Sequence, residues 1–245
     1  MRTALFAAWF YSSLGLIGLP GLPFALVSRR AARFFMRAWT LSQRFMLRVI
    51  GGVRTEARGF ENIPSGACLI AMKHQSTYDT VAPYNFLRNP AYVLKAELLS
   101  APVFGWYCKR AGMIPVEREG GAKTMRRMLE AARAAAQQGR PVLISPEGTR
   151  QEVDAPADYK PGVAGLYRAL DLPCIPVAVN TGLSWQGSGV KRILPGRVVI
   201  EALAPIEPGL SREAFMARLE AALEPATARL VAEERARRSS AASRR

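Results

Sequence analysis

The stretch ACLIAMKHQSTYD, residues 67–79, decides the fold class. It opens as an apolar run of strand length, turns polar at Lys73 and leads into a helix start. Ser76-x-x-Asp79 has capping-box spacing, in which each side chain satisfies the other's backbone N–H, so a helix is expected over 80–87. Strand, turn and helix in that order make an α/β unit. Further apolar runs at 92–95, 113–116, 141–145, 174–179 and 197–203 alternate with helical stretches at 97–108, 123–138 and 163–170. The alternation predicts an α/β fold, a mixed, largely parallel sheet covered by helices. A last helix is expected to start near Ser211 and to kink or split at Pro225. Residues 239–245 read as a disordered basic tail.

The 245 residues are 49% hydrophobic, with mean hydropathy +0.03, enough for one sizeable core and too apolar for general disorder. Three cysteines, Cys68, Cys108 and Cys174, show no metal-ligand spacing, and His74 is the single histidine. A disulfide framework and a metal site are therefore excluded from the expectation. The net charge is +15, and most of it sits at the ends. Residues 1–58 hold nine Arg against Glu56, and residues 229–245 hold six Arg against Glu233 and Glu234. Such ends imply a polyanionic partner, an anionic phospholipid membrane or nucleic acid.

Residues 3–28 carry no charge, which favours the membrane and argues against nucleic acid. Gly15, Gly18, Pro20, Gly21 and Pro23 interrupt the run, so only residues 4–19 read as continuous helix. At about 1.5 Å per residue that helix falls short of a hydrocarbon core of roughly 30 Å. In residues 29–50, Arg30, Arg33, Arg37, Arg44 and Arg48 fall within about 60° of one another on a helical wheel. Phe35, Trp39, Met46 and Ile50 gather opposite them, while Phe34 and Leu41 break the pattern. A basic amphipathic helix of this kind suits an anionic membrane surface. Spanning and dipping in and out both stay open.

The chemistry lies at strand ends. His74 and Asp79 are five residues apart, about 140° on a helix, so they meet only if a turn lets Asp79 reach back from the first helical turn. Asp79 as a mere cap and His74 as a satisfied core histidine are the structural alternatives. Gly112-Met113-Ile114-Pro115-Val116-Glu117-Arg118 delivers an arginine at a strand end, and Glu147-Gly148-Thr149-Arg150 follows another strand where α/β sheets bind ligands. Ile175-Pro176-Val177 lies in a third, with Asn180 at its tip. Together they offer a base, an orienting carboxylate, two guanidiniums and a glutamate, fit to bind a phosphate monoester and deprotonate a neighbouring hydroxyl.

These four blocks, in this order, resemble the glycerolipid acyltransferases, and most closely the 1-acylglycerol-3-phosphate (lysophosphatidate) acyltransferases. The resemblance covers about residues 59–205, with Lys95 and Lys160-Pro161-Gly162 at family-like positions. Lys73 departs from the asparagine usual before the histidine, and Glu117 from the aspartate frequent before the arginine. With the membrane-associating helical segment at 1–58 and the tail at 239–245 read from their residues, the resemblance implies an acyltransferase domain at 59–238. It implies transfer of an acyl group from acyl-CoA or acyl carrier protein to the hydroxyl of lysophosphatidate, giving phosphatidate, with no cofactor beyond the thioester co-substrate. His74 would be the general base and Asp79 its orienting partner, with no Ser or Cys nucleophile. Lys95, Arg118, Glu147, Gly148, Thr149 and Arg150 would bind the acceptor, Gly148 through close backbone approach. Backbone N–H groups at the His74 turn would hold the oxyanion. Another lysolipid acceptor, such as lyso-ornithine lipid, is the alternative. The expected location is the cytoplasmic face of the inner membrane, where thioester donors are made and the positive-inside rule keeps the Arg cluster.

Overall fold

The structure is a computed structural model that describes residues 1–117 and 121–243. Two long helices come first, α1 (Arg2–Val27) and α2 (Arg29–Val49). The chain then runs through β1 (Val53–Arg58), β2 (Leu69–Met72), the short helices α3 (Tyr78–Val81) and α4 (Pro83–Phe86), β3 (Ala91–Lys95) and α5 (Phe104–Ala111). Next come β4 (Ile114–Val116), α6 (Gly121–Gln137), β5 (Val142–Ile144), α7 (Gly162–Leu170) and β6 (Cys174–Val179). A small hairpin of β7 (Trp185–Gln186) and β8 (Arg192–Ile193) leads to β9 (Gly196–Ala202) and the C-terminal α8 (Arg212–Ala242). Seven strands form one sheet in the order β1-β9-β6-β2-β5-β3-β4. Every pairing in it is parallel except β6 with β9. This is the mixed, largely parallel α/β sheet expected from the alternation of apolar runs.

The central strands β2, β5 and β6 are buried at every position, as continuous apolar runs must be when helices cover both faces. Their side chains alternate between two cores. Ile70 and Met72 join Phe6, Leu47, Tyr78 and Trp185 on one face, whereas Leu69 and Ala71 join Met128, Val163 and Leu223 on the other. Arg140, 4% exposed, ties the β3, α5 and β5 ends together by donating to the carbonyls of Asn89, Pro90, Ala111 and Gly112. Arg140→Met is expected to cost about 3 kcal/mol or more, because four buried carbonyls lose charge-assisted donors. Urea unfolding measures this, and a loss below about 1 kcal/mol would contradict the role.

Several expectations are corrected. Helix α1 does not stop at residue 19; it runs for 26 residues, about 39 Å at 1.5 Å each, and is long and apolar enough to cross a membrane. Its glycines serve as contact points instead of breakers. A β-carbon on Gly21 would lie 2.5 Å from the Phe35 ring and from the Tyr107 hydroxyl, and one on Gly18 would lie 2.6 Å from Val103. Close packing on α2 and α5 overrides the weak helix propensity of the Gly and Pro residues. Ser13 fastens the two helices, accepting from Trp39 Nε1 at 3.0 Å and Gln43 Nε2 at 2.8 Å. The aromatic face opposite the Arg row of α2 turns inward: Phe35, Trp39 and Met46 pack on the protein. The exposed apolar residues include Leu5, Leu16, Leu19 and Phe24 of α1 with Phe34, Leu41, Phe45 and Val49 of α2, among them the two that broke the amphipathic pattern.

The domain boundary expected at 58 also moves, because β1 is an edge strand of the main sheet. The helix expected at 97–108 is a 3₁₀ turn (Ala96–Ser100) followed by α5, broken around Pro102. Pro225 does not split α8, whose Phe215, Leu219, Leu223 and Leu230 are fully buried on the sheet. The tail expected to be disordered from 239 continues α8 to Ala242. Arg237 and Arg238 anchor that end on Glu234.

Candidate active site

The site is built where β2 ends. Lys73 N–H still donates to Val177 O at 3.0 Å, prolonging the ladder, and the chain then turns sharply. Asp79, in the first turn of α3, reaches back as the spacing required: its Oδ2 lies 3.2 Å from His74 Nδ1. The same oxygen accepts the N–H groups of Gln75 at 2.6 Å and Ser76 at 2.7 Å. Ser76 Oγ in turn accepts from Tyr78 N–H at 2.9 Å. Capping and orientation of the imidazole are therefore one arrangement, and Asp79, 3% exposed, does both. The N–H groups of Gln75 and Ser76 are thus committed to Asp79. Gln151 N–H donates to His74 O and Gly182 N–H to Gln75 Oε1, so neighbouring strand ends brace the loop.

The loop after β5 carries the second block. Gly148 has φ +66°, and its N–H donates to Ser145 O to close the turn. A β-carbon there would meet Lys160 Cγ at an ordinary 3.5 Å, so within the protein it is the left-handed backbone that calls for glycine. Thr149 and Arg150 are exposed at the loop's tip. Glu147 is the residue expected to position the arginine or the glycerol. It is fully buried and faces Lys73, whose Nζ lies 3.0 Å from Glu147 Oε1 and 2.8 Å from Glu224 Oε1 of α8. Tyr159 donates its hydroxyl to Glu224 and lies beneath the Lys73 ammonium. Burial works against the charge on Lys73, but the two carboxylates outweigh it and hold its pKa above the ordinary lysine value. At Glu147 burial dominates and raises the carboxyl, with Lys73 opposing the rise. Glu147 thus pins the Arg150 loop to the His74 loop.

His74, Asp79, Lys95, Glu147, Gly148, Thr149 and Arg150 all line one cavity of 1370 Å³. Arg118 lies outside the described residues. Lys95, at the end of β3, is exposed and 3.9 Å from Glu97, and Lys160 adds a further cation to the rim. Away from these charges the walls are apolar, with Phe10 and Leu14 of α1, Phe35 and Trp39 of α2, and Phe104 and Tyr107 of α5. Ile175 to Val177 stay within buried β6, and Asn180 is structural, accepting from Val199 N–H and donating to Leu230 O. The three cysteines are buried, and burial pushes the thiols of Cys68 and Cys108 up to about 12 and raises Cys174 likewise. None offers a thiolate nucleophile near neutral pH.

A histidine held by a carboxylate, without a cysteine nucleophile, between a cationic rim and a deep apolar cavity, is equipped to activate a hydroxyl beside a long acyl chain. The sequence model of the acyltransferase family matches residues 54–180. The chain belongs to this family and is an O-acyltransferase. Over 206 residues it is 33% identical to a 1-acyl-sn-glycerol-3-phosphate acyltransferase of Pseudomonas aeruginosa, covering 82% of this chain and 78% of that protein. It is 26% identical over 162 residues to the human 1-acyl-sn-glycerol-3-phosphate acyltransferase alpha, covering 65% of this chain and 57% of that protein. The crystal structure of the 1-acyl-sn-glycerophosphate (LPA) acyltransferase PlsC from Thermotoga maritima shares the fold, with TM-score 0.74 at 20% identity over 95% of this chain and 97% of that one.

Proposed function

We propose that this chain transfers an acyl group from an acyl thioester, on coenzyme A or an acyl carrier protein, to the free hydroxyl of lysophosphatidate, giving phosphatidate without a cofactor. The observation that carries the reading is the His74–Asp79 pair opening into an apolar cavity whose rim holds Arg150, Lys95 and Lys160. Asp79 fixes Nδ1, leaving Nε2 to take the acceptor's hydroxyl proton. The resulting oxygen nucleophile attacks the thioester carbonyl carbon, the C–O bond forms as the C–S bond breaks, and the imidazolium returns its proton to the leaving thiolate. Rim cations hold the acceptor phosphate, and the acyl chain lies along the apolar wall.

Membrane association is part of the same reading. The exposed apolar face of α1 and α2 supplies the contact. Both ends of α1 touch the domain, Thr3 Oγ1 accepting from Ile193 N–H and Ala25 O accepting from Arg110 Nε. A helix laid along the domain in this way fits immersion in one leaflet better than crossing, at the cytoplasmic face where thioesters are made.

Incubating purified protein with lysophosphatidate and an acyl thioester should yield phosphatidate. Arg150→Ala should lower kcat/KM for lysophosphatidate about 10- to 150-fold, since a charge-assisted hydrogen bond is worth roughly 1.5–3 kcal/mol. Arg150→Lys should recover only part of this, because the planar fork is gone. A phosphate-free monoacyl acceptor should be indifferent to both changes. If that acceptor slows equally, Arg150 does not read the phosphate, and another lysolipid becomes the better candidate.

A further inference from the structure

The two basic ends of the chain converge in the folded protein on a second pocket. It has a volume of 660 Å³, lies between the starts of β1 and β9 and the end of α8, and shares no lining residue with the catalytic cavity. Arg54, Arg197, Arg237 and Arg238 line it. Arg2 reaches its margin, with Nη1 3.6 Å from where a β-carbon on Gly52 would stand.

The pocket is organised around one buried carboxylate. Glu234, completely shielded from solvent, accepts from Arg237 Nε at 2.6 Å and Nη2 at 2.8 Å, from Arg238 Nε at 2.8 Å and from Arg197 N–H at 3.0 Å. Arg238 is fixed further by Leu183 O and Ser184 Oγ. Gly196 makes room for this: a β-carbon would stand 2.3 Å from Arg238 Nη2 and 2.5 Å from Glu234 Oε1. Arg237, Arg238 and the backbone of Arg197 thus converge on Glu234, while Arg54 also lines the pocket, Arg2 stands at its margin, and Glu56 and Glu233 lie 3.5 and 3.7 Å from Arg197 at the edge. The excess charge is positive. Arg197 Nε is shielded from solvent without an acceptor, and Arg54 has no hydrogen-bond or ion-pair partner among the described residues. Fixed guanidinium forks with unused N–H groups match phosphate oxygens.

We propose that this pocket binds a phosphate group presented by the headgroup of an anionic phospholipid, apart from the acceptor site. The source is argued from position. Leu5 and Val49, 52% and 63% exposed, stand three residues along the chain from Arg2 and Gly52, so the exposed apolar face begins within a helical turn of the pocket's margin. For that source, though not for the phosphate chemistry, the proposal rests on the membrane-facing reading of α1 and α2.

Flotation of the full chain with vesicles of pure phosphatidylcholine, and of equal parts phosphatidylcholine and phosphatidylglycerol, tests it. Wild type should bind both and prefer the anionic vesicles. Arg54→Gln, which removes no internal contact, should weaken anionic binding about fivefold, and Arg54→Gln with Arg237→Gln about 25-fold. Neutral binding should stay unchanged. The exposed α6 pair Arg126→Gln/Arg127→Gln should remain within about twofold of wild type. Arg54→Lys/Arg237→Lys should recover only part of the loss, because the charge survives but the fork does not. Lysine variants that match wild type would reduce the effect to diffuse attraction and overturn the site. Wild type binding both vesicles equally would also overturn it while sparing the membrane-facing reading. Wild type that ignores both vesicle types defeats that reading and the lipid source together. Inorganic phosphate binding that depends on Arg54, without any vesicle preference, would assign the pocket to a soluble phosphate instead.

Discussion

Replacing His74 by alanine is expected to slow acyl transfer by roughly 10²–10⁴-fold, the usual contribution of a positioned general base, in a protein that still folds. His74 is partly exposed to the cavity, with a side chain 12% accessible, and its backbone carbonyl keeps its bond from Gln151 in the variant. Asp79→Asn preserves an acceptor for the Gln75 and Ser76 N–H groups but removes the charge that favours the imidazolium. Its kcat should fall severely while its thermal midpoint moves little. Circular dichroism melts beside initial rates separate the two readings. A His74→Ala protein that unfolds would make the histidine a core residue, and one that keeps most of its rate would remove it from the mechanism.

Lys73→Met should produce the next largest effect, about 3–5 kcal/mol of lost stability, because removing one partner strands a buried carboxylate. The pH dependence is specific. Burial already places the Glu147 carboxyl above the ordinary range, and the Lys73 charge opposes that rise. Without the lysine, Glu147 should rise further. A carboxyl raised on folding favours the native state at low pH and loses that advantage as pH climbs through its folded pKa. The deficit relative to wild type should therefore be smallest in acid and grow toward neutrality. Lys73→Met/Glu147→Gln should recover part of the stability at neutral pH. Urea melts across pH check this, and a deficit independent of pH would mean that Lys73 and Glu147 are not coupled.

What the sequence discloses follows from how local each cause is. Strands β2, β5 and β6 are legible because burial on both faces forces unbroken apolar runs. The His74–Asp79 meeting is legible because a turn and a helix start lie within six residues. The Lys73–Glu147–Glu224 group is not, since its members come from two loops and a helix, and Lys73 and Glu224 are 151 positions apart. Lys73 stands out only as a lysine closing an apolar strand and replacing the usual asparagine, and Glu224 does not stand out at all. Strand β1 was hidden by its charges, which an edge strand tolerates because it pairs on one side only. The full length of α1 is not legible because Gly18 and Gly21 look like local breakers, whereas tertiary contact with Phe35, Tyr107 and Val103 is what selects them.

The mechanism proposed for His74 is direct transfer by a base-activated hydroxyl, with no acyl-enzyme. Its most direct test is rapid mixing of the protein with acyl thioester alone, following free thiol, and then with lysophosphatidate added, following thiol and phosphatidate. Direct transfer gives no thiol burst without the acceptor, and equal amounts of thiol and phosphatidate once it is present. A burst stoichiometric with enzyme before acceptor is added, with acyl label retained on the denatured protein, would contradict it.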